Sequence, residues 1–215
     1  MASIKAQLKD IEMPRIPFPT ARLRHIRTLF AGLVGLLALS LAVQPVAAGP
    51  LTGTYTLSPA QVNTGFSVKV LGGKPVTGAF KSVSGKMVLN QNRPEKSHVS
   101  VKVDLGSVQT NNDKVTGFLK SAAMFDVANH PVAVFKSTRV RMTGDRSAEV
   151  EGNLTLRGKT MRTKLTVRLT GAKASGGVGF EVTGGFFRSF YGMKAGQPIY
   201  ADKVNLVISG TGRRG

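Results

Sequence analysis

The stretch NLTLRGKTMRTKLTVRLT, Asn153 to Thr170, alternates almost without fault. From Met161 the odd positions carry Met161, Thr163, Leu165, Val167 and Leu169; the even ones carry Arg162, Lys164, Thr166, Arg168 and Thr170. A period of two predicts strands with one dry face and one wet face. The short Arg157-Gly158-Lys159 interruption predicts a hairpin that makes the strands on either side antiparallel neighbours. The dry face fits a packed core or the wall of a cavity equally well.

The same alternation recurs along the chain. Strands are predicted near 54–58, 62–71, 76–81, 84–90, 97–105, 132–142, 147–157, 160–171, 178–188 and 203–210, with turn signals at Gly72-Gly73, Asn92-Arg93-Pro94, Gly144-Asp145 and Gly176-Gly177. Val99, Val101, Val103 and Leu105 share a face, as do Val204, Leu206 and Ile208. Burial on one side over many strands means an all-β antiparallel sandwich or barrel. In residues 111–131, Val115, Phe118, Leu119, Ala122 and Ala123 fall at helical spacing, Asn112 or Asp113 can cap the start, and Pro131 closes the region. A short helix there closes one end of a barrel or covers a gap. The glycines of VTGGFFRSFYG, 182–192, predict a bulge or sharp bend.

The N-terminus has the form of an address. Arg22, Arg24 and Arg27 precede an apolar run at 29–43, and Val46 and Ala48 flank a cut before Gly49. Basic start, short apolar run and small-residue exit describe a secretory signal over residues 1–48. The run is shorter than the roughly 20 residues that span a bilayer; an uncleaved anchor is the rival. Export points to a bacterial periplasm or the cell exterior, with a single domain over 49–215. Its removal leaves 24 basic residues against nine acidic ones, a net +15, compared with +19 for the whole chain. Such a charge suits anionic lipid head groups. No basic run and no aromatic platform of the kind single-strand binders use is present, which argues against nucleic acid.

Catalytic material is scarce. There is no cysteine, and His98 and His130 come from separate segments without metal-ligand spacing. His98 falls on the wet face of its strand and His130 in a turn. Glu149 and Glu151 share a strand face and are expected to meet Arg162 and Lys164 across the hairpin. These features predict neither an enzyme, a metal site nor a cofactor. Apolar surface is abundant instead. A barrel of about eight strands is either filled or just wide enough for one ligand. Small residues at inward positions, Gly78, Gly152, Gly184 and Ala133, tilt the choice toward a cavity.

Four stretches in order resemble one family. They are GTYTLSPAQVNTGFSVKVLGGKPVTGAF, VDLGSVQTNNDKVTGFLKSAAMFDVANHPVAVFKST, VEGNLTLRGKTMRTKLTV and FFRSFYGM, spanning about Tyr55 to Gly212. The family is the YceI-like, polyisoprenoid-binding one. The resemblance implies an extended lipocalin-like antiparallel β-barrel of about eight strands with one short helical insert. It also implies an apolar tunnel for a long isoprenoid chain or similar amphiphile. Where the family carries polar residues, this chain has Ser58, Gln61-Val62, Val70, Val115-Thr116-Gly117-Phe118-Leu119 and Ala123-Met124-Phe125-Asp126. The tunnel is therefore expected to be more apolar at the insert. The expected wall residues are Phe66, Val68, Phe80, Val101, Val103, Phe118, Phe135, Leu154, Leu165, Val167, Phe180 and Phe186. The expected role is carriage or storage of a long-chain isoprenoid or other apolar lipid. The alternative is a non-catalytic module with a filled barrel, docking on a membrane protein or an anionic membrane surface.

Overall fold

The computed structural model describes residues 50–174 and 176–215. The expected signal segment, residues 1–48, and the expected cut near Ala48/Gly49 lie outside the described residues. Eleven strands follow in chain order: β1 (Gly53–Leu57), β2 (Val62–Val70), β3 (Val76–Phe80), β4 (Val83–Leu89), β5 (His98–Asp104), β6 (Val108–Thr110), β7 (Val132–Gly144), β8 (Ser147–Leu156), β9 (Lys159–Ala172), β10 (Val178–Phe187) and β11 (Tyr200–Arg214). One α-helix, α1 (Asp113–Lys120), interrupts them among the described residues. All the sheet pairings are antiparallel.

The registers reduce eleven strands to eight. β1 pairs with β4 and β2 with β3, so β1–β2 and β3–β4 are two long bent strands lying side by side. β5 pairs with β4 and β6 with β3, which makes β5–β6 a third. β7, β8, β9, β10 and β11 then succeed one another, and β11 returns to β2 and to β1, Tyr55 against Arg214. The result is a closed eight-stranded meander, and closure leaves no free sheet edge. Residues 81–82 interrupt β3–β4, and the other breaks within the bent strands are a one-turn 3-10 segment at Pro59–Gln61 and another at Leu105–Ser107. The second separates β6, which the alternation pattern does not reveal because it is three residues long.

The hairpin that the opening stretch predicts is a two-residue turn. Arg157 and Gly158 both have positive φ, 51° and 70°, the geometry whose twist matches the flanking strands. Leu156 faces Lys159 and Asn153 faces Arg162. In the same register Glu151 faces Lys164, and Lys164 bridges Glu149 at 3.1 Å and Glu151 at 3.6 Å. The expected Arg162 partnership gives way to Arg141 of β7, 3.2 Å from Glu149. Hydrogen bonding from Lys164 holds the Glu149 carboxyl below its usual value.

Two expectations about glycine need correction. At Gly184-Gly185 the register with β11 runs unbroken; the irregularity of β10 falls at Gly179/Phe180, against β9. Gly78, Gly152 and Gly184 do not leave empty space either. The rings of Phe66 and Phe135 and the side chain of Leu165 lie where their Cβ atoms would be. Room is gained indirectly, because a ring lying flat on the sheet projects less far into the lumen.

Candidate functional site

The long strands put the two ends of the barrel in different hands. At one end lie the β8–β9 turn, the β10–β11 connection and the 111–131 insert. Asn112 caps α1 by accepting from the Lys114 and Val115 amides at 2.9 and 3.2 Å. The helix presents Val115, Thr116 and Leu119 inward, and only Leu119 is fully buried. Beyond it the chain turns back, and Met124 and Phe125 drop into the barrel end. Phe125 meets Phe80 at 5.6 Å between ring centres, and Phe80 meets Phe66 at 5.5 Å. Leu105, Val108, Leu156, Tyr191 and Met193 complete this buried plug.

Arg188 holds the β10–β11 connection over the plug. It is 2% exposed, and its guanidinium donates to four backbone carbonyls: Ala201 (3.0 Å), Met193 (2.6 Å), Ala195 (2.8 Å) and Tyr200 (2.8 Å). Burial pushes its pKa down, and the Asp202 charge acts the other way. Asp202 itself accepts from the Ser189 amide and hydroxyl and from Gln197. Five donors in a planar fork suit a ring of carbonyls better than any other side chain.

Above the plug the side chains do not fill the lumen. A cavity of about 660 Å³ runs from Phe80, Leu105, Leu156 and Phe186 at its floor to an opening at the other end. The opening is edged by Pro50 and Leu51, by Asn90, Gln91, Pro94, Ser97 and His98, and by Asp145 and Arg146. Between floor and rim the wall is apolar, with Thr64 and Thr163 as its buried polar residues. The Tyr191 hydroxyl, beside Thr163, donates to the Leu154 carbonyl at 3.3 Å. Burial raises the Tyr191 pKa, with the Thr163 side chain acting against it. The Thr64 hydroxyl is buried and lacks a partner among the described residues.

Nine of the twelve expected wall residues line this cavity: Phe80, Val101, Val103, Phe135, Leu154, Leu165, Val167, Phe180 and Phe186. Three do not. Phe66 lies in the plug over Gly78, and Val68 packs half-buried at the same end. Phe118 is 48% exposed; it sits one position before Leu119, about 100° around the helix from the buried side chain. The insert thus stoppers the barrel, and none of its residues lines the cavity. The expected tunnel is a cup with one mouth, and the filled-barrel alternative does not describe this lumen. Sequence reasoning missed Met87, Val150 and Val182 in the wall, each on an inward strand position that alternation could have supplied.

The dry face of the opening stretch now has an answer. Thr163, Leu165, Val167 and Leu169 look into the cup, and Met161 packs at its edge against the core. Among the described residues, no three His, Asp or Glu side chains gather as metal ligands would. His98 is exposed at the rim and His130 sits by the Gly158 turn.

The model of the YceI-like domain matches residues 55–211. A UPF0312 protein of Ectopseudomonas mendocina is 33% identical over 127 residues, 59% of this chain and 63% of the relative. A UPF0312 protein of Pseudomonas aeruginosa is 31% identical over 153 residues, 69% of this chain and 80% of the relative. Among solved structures, BcnA of Burkholderia cenocepacia superposes with a TM-score of 0.67 at 21% identity, covering 72% of this chain and 98% of that one. A polyisoprenoid binding domain of Saccharophagus degradans gives 0.56 at 17% identity, covering 76% and 99%. At such identities the superpositions speak for the fold.

Proposed function

The chain belongs to the YceI-like domain family, and we propose that its barrel binds the chain of an isoprenoid or similar amphiphile in the cup. The observation that carries this reading is an apolar cavity of about 660 Å³, stoppered at one end and open at the other. Burying a hydrocarbon chain there is favourable by about 0.8 kcal/mol per CH₂, and few polar contacts are needed for orientation. At roughly 30 Å³ per liquid-sized group, the cup holds on the order of twenty carbons, about four isoprene units. A longer chain folds back or extends from the mouth. The structural likeness to the polyisoprenoid binding domain of Saccharophagus degradans supports the same class of ligand.

We propose further that the protein acts outside the cytoplasm, after loss of residues 1–48, in carriage or storage of the lipid. N-terminal sequencing of the protein recovered from its host should begin near Gly49. The binding reading is tested by organic extraction and mass spectrometry of protein purified from that host, with thermal shifts on adding geranylgeraniol. A co-purifying apolar lipid and a raised Tm are expected. Empty extracts together with an unchanged Tm would sink the reading.

A further inference from the structure

The stoppered end carries a second feature that the cup does not use. Leu71, Phe187, Phe190, Ile199 and Tyr200 are large, apolar and exposed, from 41% for Tyr200 to 79% for Leu71. They form one corner of the barrel. The Leu71 amide donates to the Ile199 carbonyl at 2.9 Å, which ties the β2–β3 turn to the β10–β11 connection. Tyr200 pairs with Val70, next to Leu71. The Phe187 and Phe190 rings meet at 5.5 Å. Leu71 stands at a turn followed by Gly72 and Gly73, so the residues after it bring no side chain to cover it.

The fully exposed charges bordering this corner are lysines. Lys203 lies directly opposite Phe187 across the β10–β11 ladder, which puts both on one face. Lys69, two residues before Leu71, is exposed near the end of β2. Lys74 lies in the same turn as Leu71, and Lys194 in the same connection as Phe190 and Ile199. All four are exposed. The ion pairs among the described residues lie elsewhere, on the outer wall of β7 to β10. The nearby carboxylate, Asp202, is half-buried, accepts from Ser189 and Gln197, and is balanced by the charge of the buried Arg188.

We propose that this corner docks on an anionic lipid bilayer. Exposed aliphatic and aromatic side chains bordered by lysines match the boundary between acyl chains and negative head groups. A second copy of the chain is a poor occupant, because a two-fold contact would set lysines against lysines. The corner is at the end away from the mouth. A docked barrel therefore holds its cup open to the aqueous side, and takes up its ligand from there. The docking does not depend on what fills the cup, so the two readings fail separately.

The test is hydrogen–deuterium exchange on the full chain, with phosphatidylcholine vesicles and with vesicles that also contain phosphatidylglycerol. Peptides covering 69–74 and 187–203 should gain protection only with the anionic vesicles; peptide-level readout separates this from any contact made by the N-terminal apolar run. A Lys74→Gln, Lys194→Gln, Lys203→Gln variant should bind those vesicles about tenfold or more weakly, and Phe187→Ser with Phe190→Ser should lose the protection. The altered side chains are exposed, and an unchanged Tm would verify the fold. Protection at the mouth loops 90–97 and 145–146 instead would overturn the proposal. So would indifference to phosphatidylglycerol, full binding by both variants, or corner protection that rises with protein concentration in the absence of vesicles.

Discussion

The ring of Phe135 on β7 lies across Gly152 on β8, in the space a Cβ there would fill. A strand glycine ordinarily costs about 0.5–1 kcal/mol relative to alanine, so Gly152→Ala would stabilise an open site. Here the new methyl meets the Phe135 ring and, at 2.6 Å, the Lys136 carbonyl. We expect a loss of about 1–3 kcal/mol, the usual range for overpacking, read as a lower urea midpoint at constant m. The ring is also a wall residue, so the variant should hold isoprenoid less well. If Gly152→Ala raises the midpoint, the glycine is not there for the ring.

Arg188 answers for the stopper. Replacing it with methionine keeps much of the volume and removes every donor to the Met193, Ala195, Tyr200 and Ala201 carbonyls. Buried acceptors left unpaired cost about 1–3 kcal/mol each, though the connection would partly relax toward water. A loss of at least about 3 kcal/mol is expected. Arg188→Lys should recover only part of it, since an ammonium has three donors where the guanidinium has five. A midpoint within about 0.5 kcal/mol of wild type would mean the connection is held by something else.

Inward positions such as Leu165, Val167, Val101 and Phe180 were legible because a closed antiparallel sheet buries one face, and period two names that face. The depth of a residue along the barrel axis was not legible. Phe66 and Phe80 both point inward, yet one is plug and the other is cavity floor, and that difference depends on where the insert's Phe125 lands. The role of Phe118 was missed because the helix is only eight residues long. Over so short a span an apolar stripe at i, i+3, i+4 does not define a direction. The corner of Leu71, Ile199 and Phe187 joins two segments far apart in sequence, the β2–β3 turn and the β10–β11 connection, which the β2–β11–β10 ladder and the Leu71–Ile199 hydrogen bond unite.

Val167 tests whether the cup is vacant. It faces Ala148 on one side and Val182 on the other, and all three line the cavity. In a packed core, Val167→Trp would cost about 1–3 kcal/mol or more. In an empty lumen the indole has space, so Tm should change by less than about 4 °C. Displacement of a bound apolar fluorophore by geranylgeraniol should meanwhile weaken by about tenfold or more, equal to 1.4 kcal/mol. Strong destabilisation would mean that the lumen is filled in solution.

Glu149 gives the outer wall a pH signature. Its folded pKa lies below the ordinary 4.5, chiefly through the hydrogen bond from Lys164 and the charges of Lys164 and Arg141. A depressed carboxyl stabilises the fold above its unfolded pKa, and that contribution is lost as pH falls through the lower folded value. The Tm difference between wild type and Glu149→Gln should therefore be present at neutral pH and close progressively between about pH 5 and about pH 2. Because the site is open to solvent the difference is small, and about 1 M salt should remove most of it. A difference that persists at low pH would assign the effect to the glutamine side chain itself.

Chain length distinguishes a cup from a tunnel. Each isoprene unit that enters the lumen buries about five carbons at up to about 0.8 kcal/mol apiece, less the ordering cost of the chain. A net gain near tenfold per unit, about 1.4 kcal/mol, is expected while there is space. The floor at Phe80, backed by the plug residues Phe66 and Phe125, ends that space, and about 660 Å³ is used up at roughly four units on a liquid-volume scale. Prenyl alcohols of two, three and four units should thus bind with rising affinity, and six units should add less than about twofold. Replacing Phe125 with alanine would open the floor toward the insert and move the plateau to longer chains. Titration of the series by fluorophore displacement measures both. An affinity that keeps climbing through six units in the wild type would mean that the chain passes the plug and that the barrel works as a tunnel.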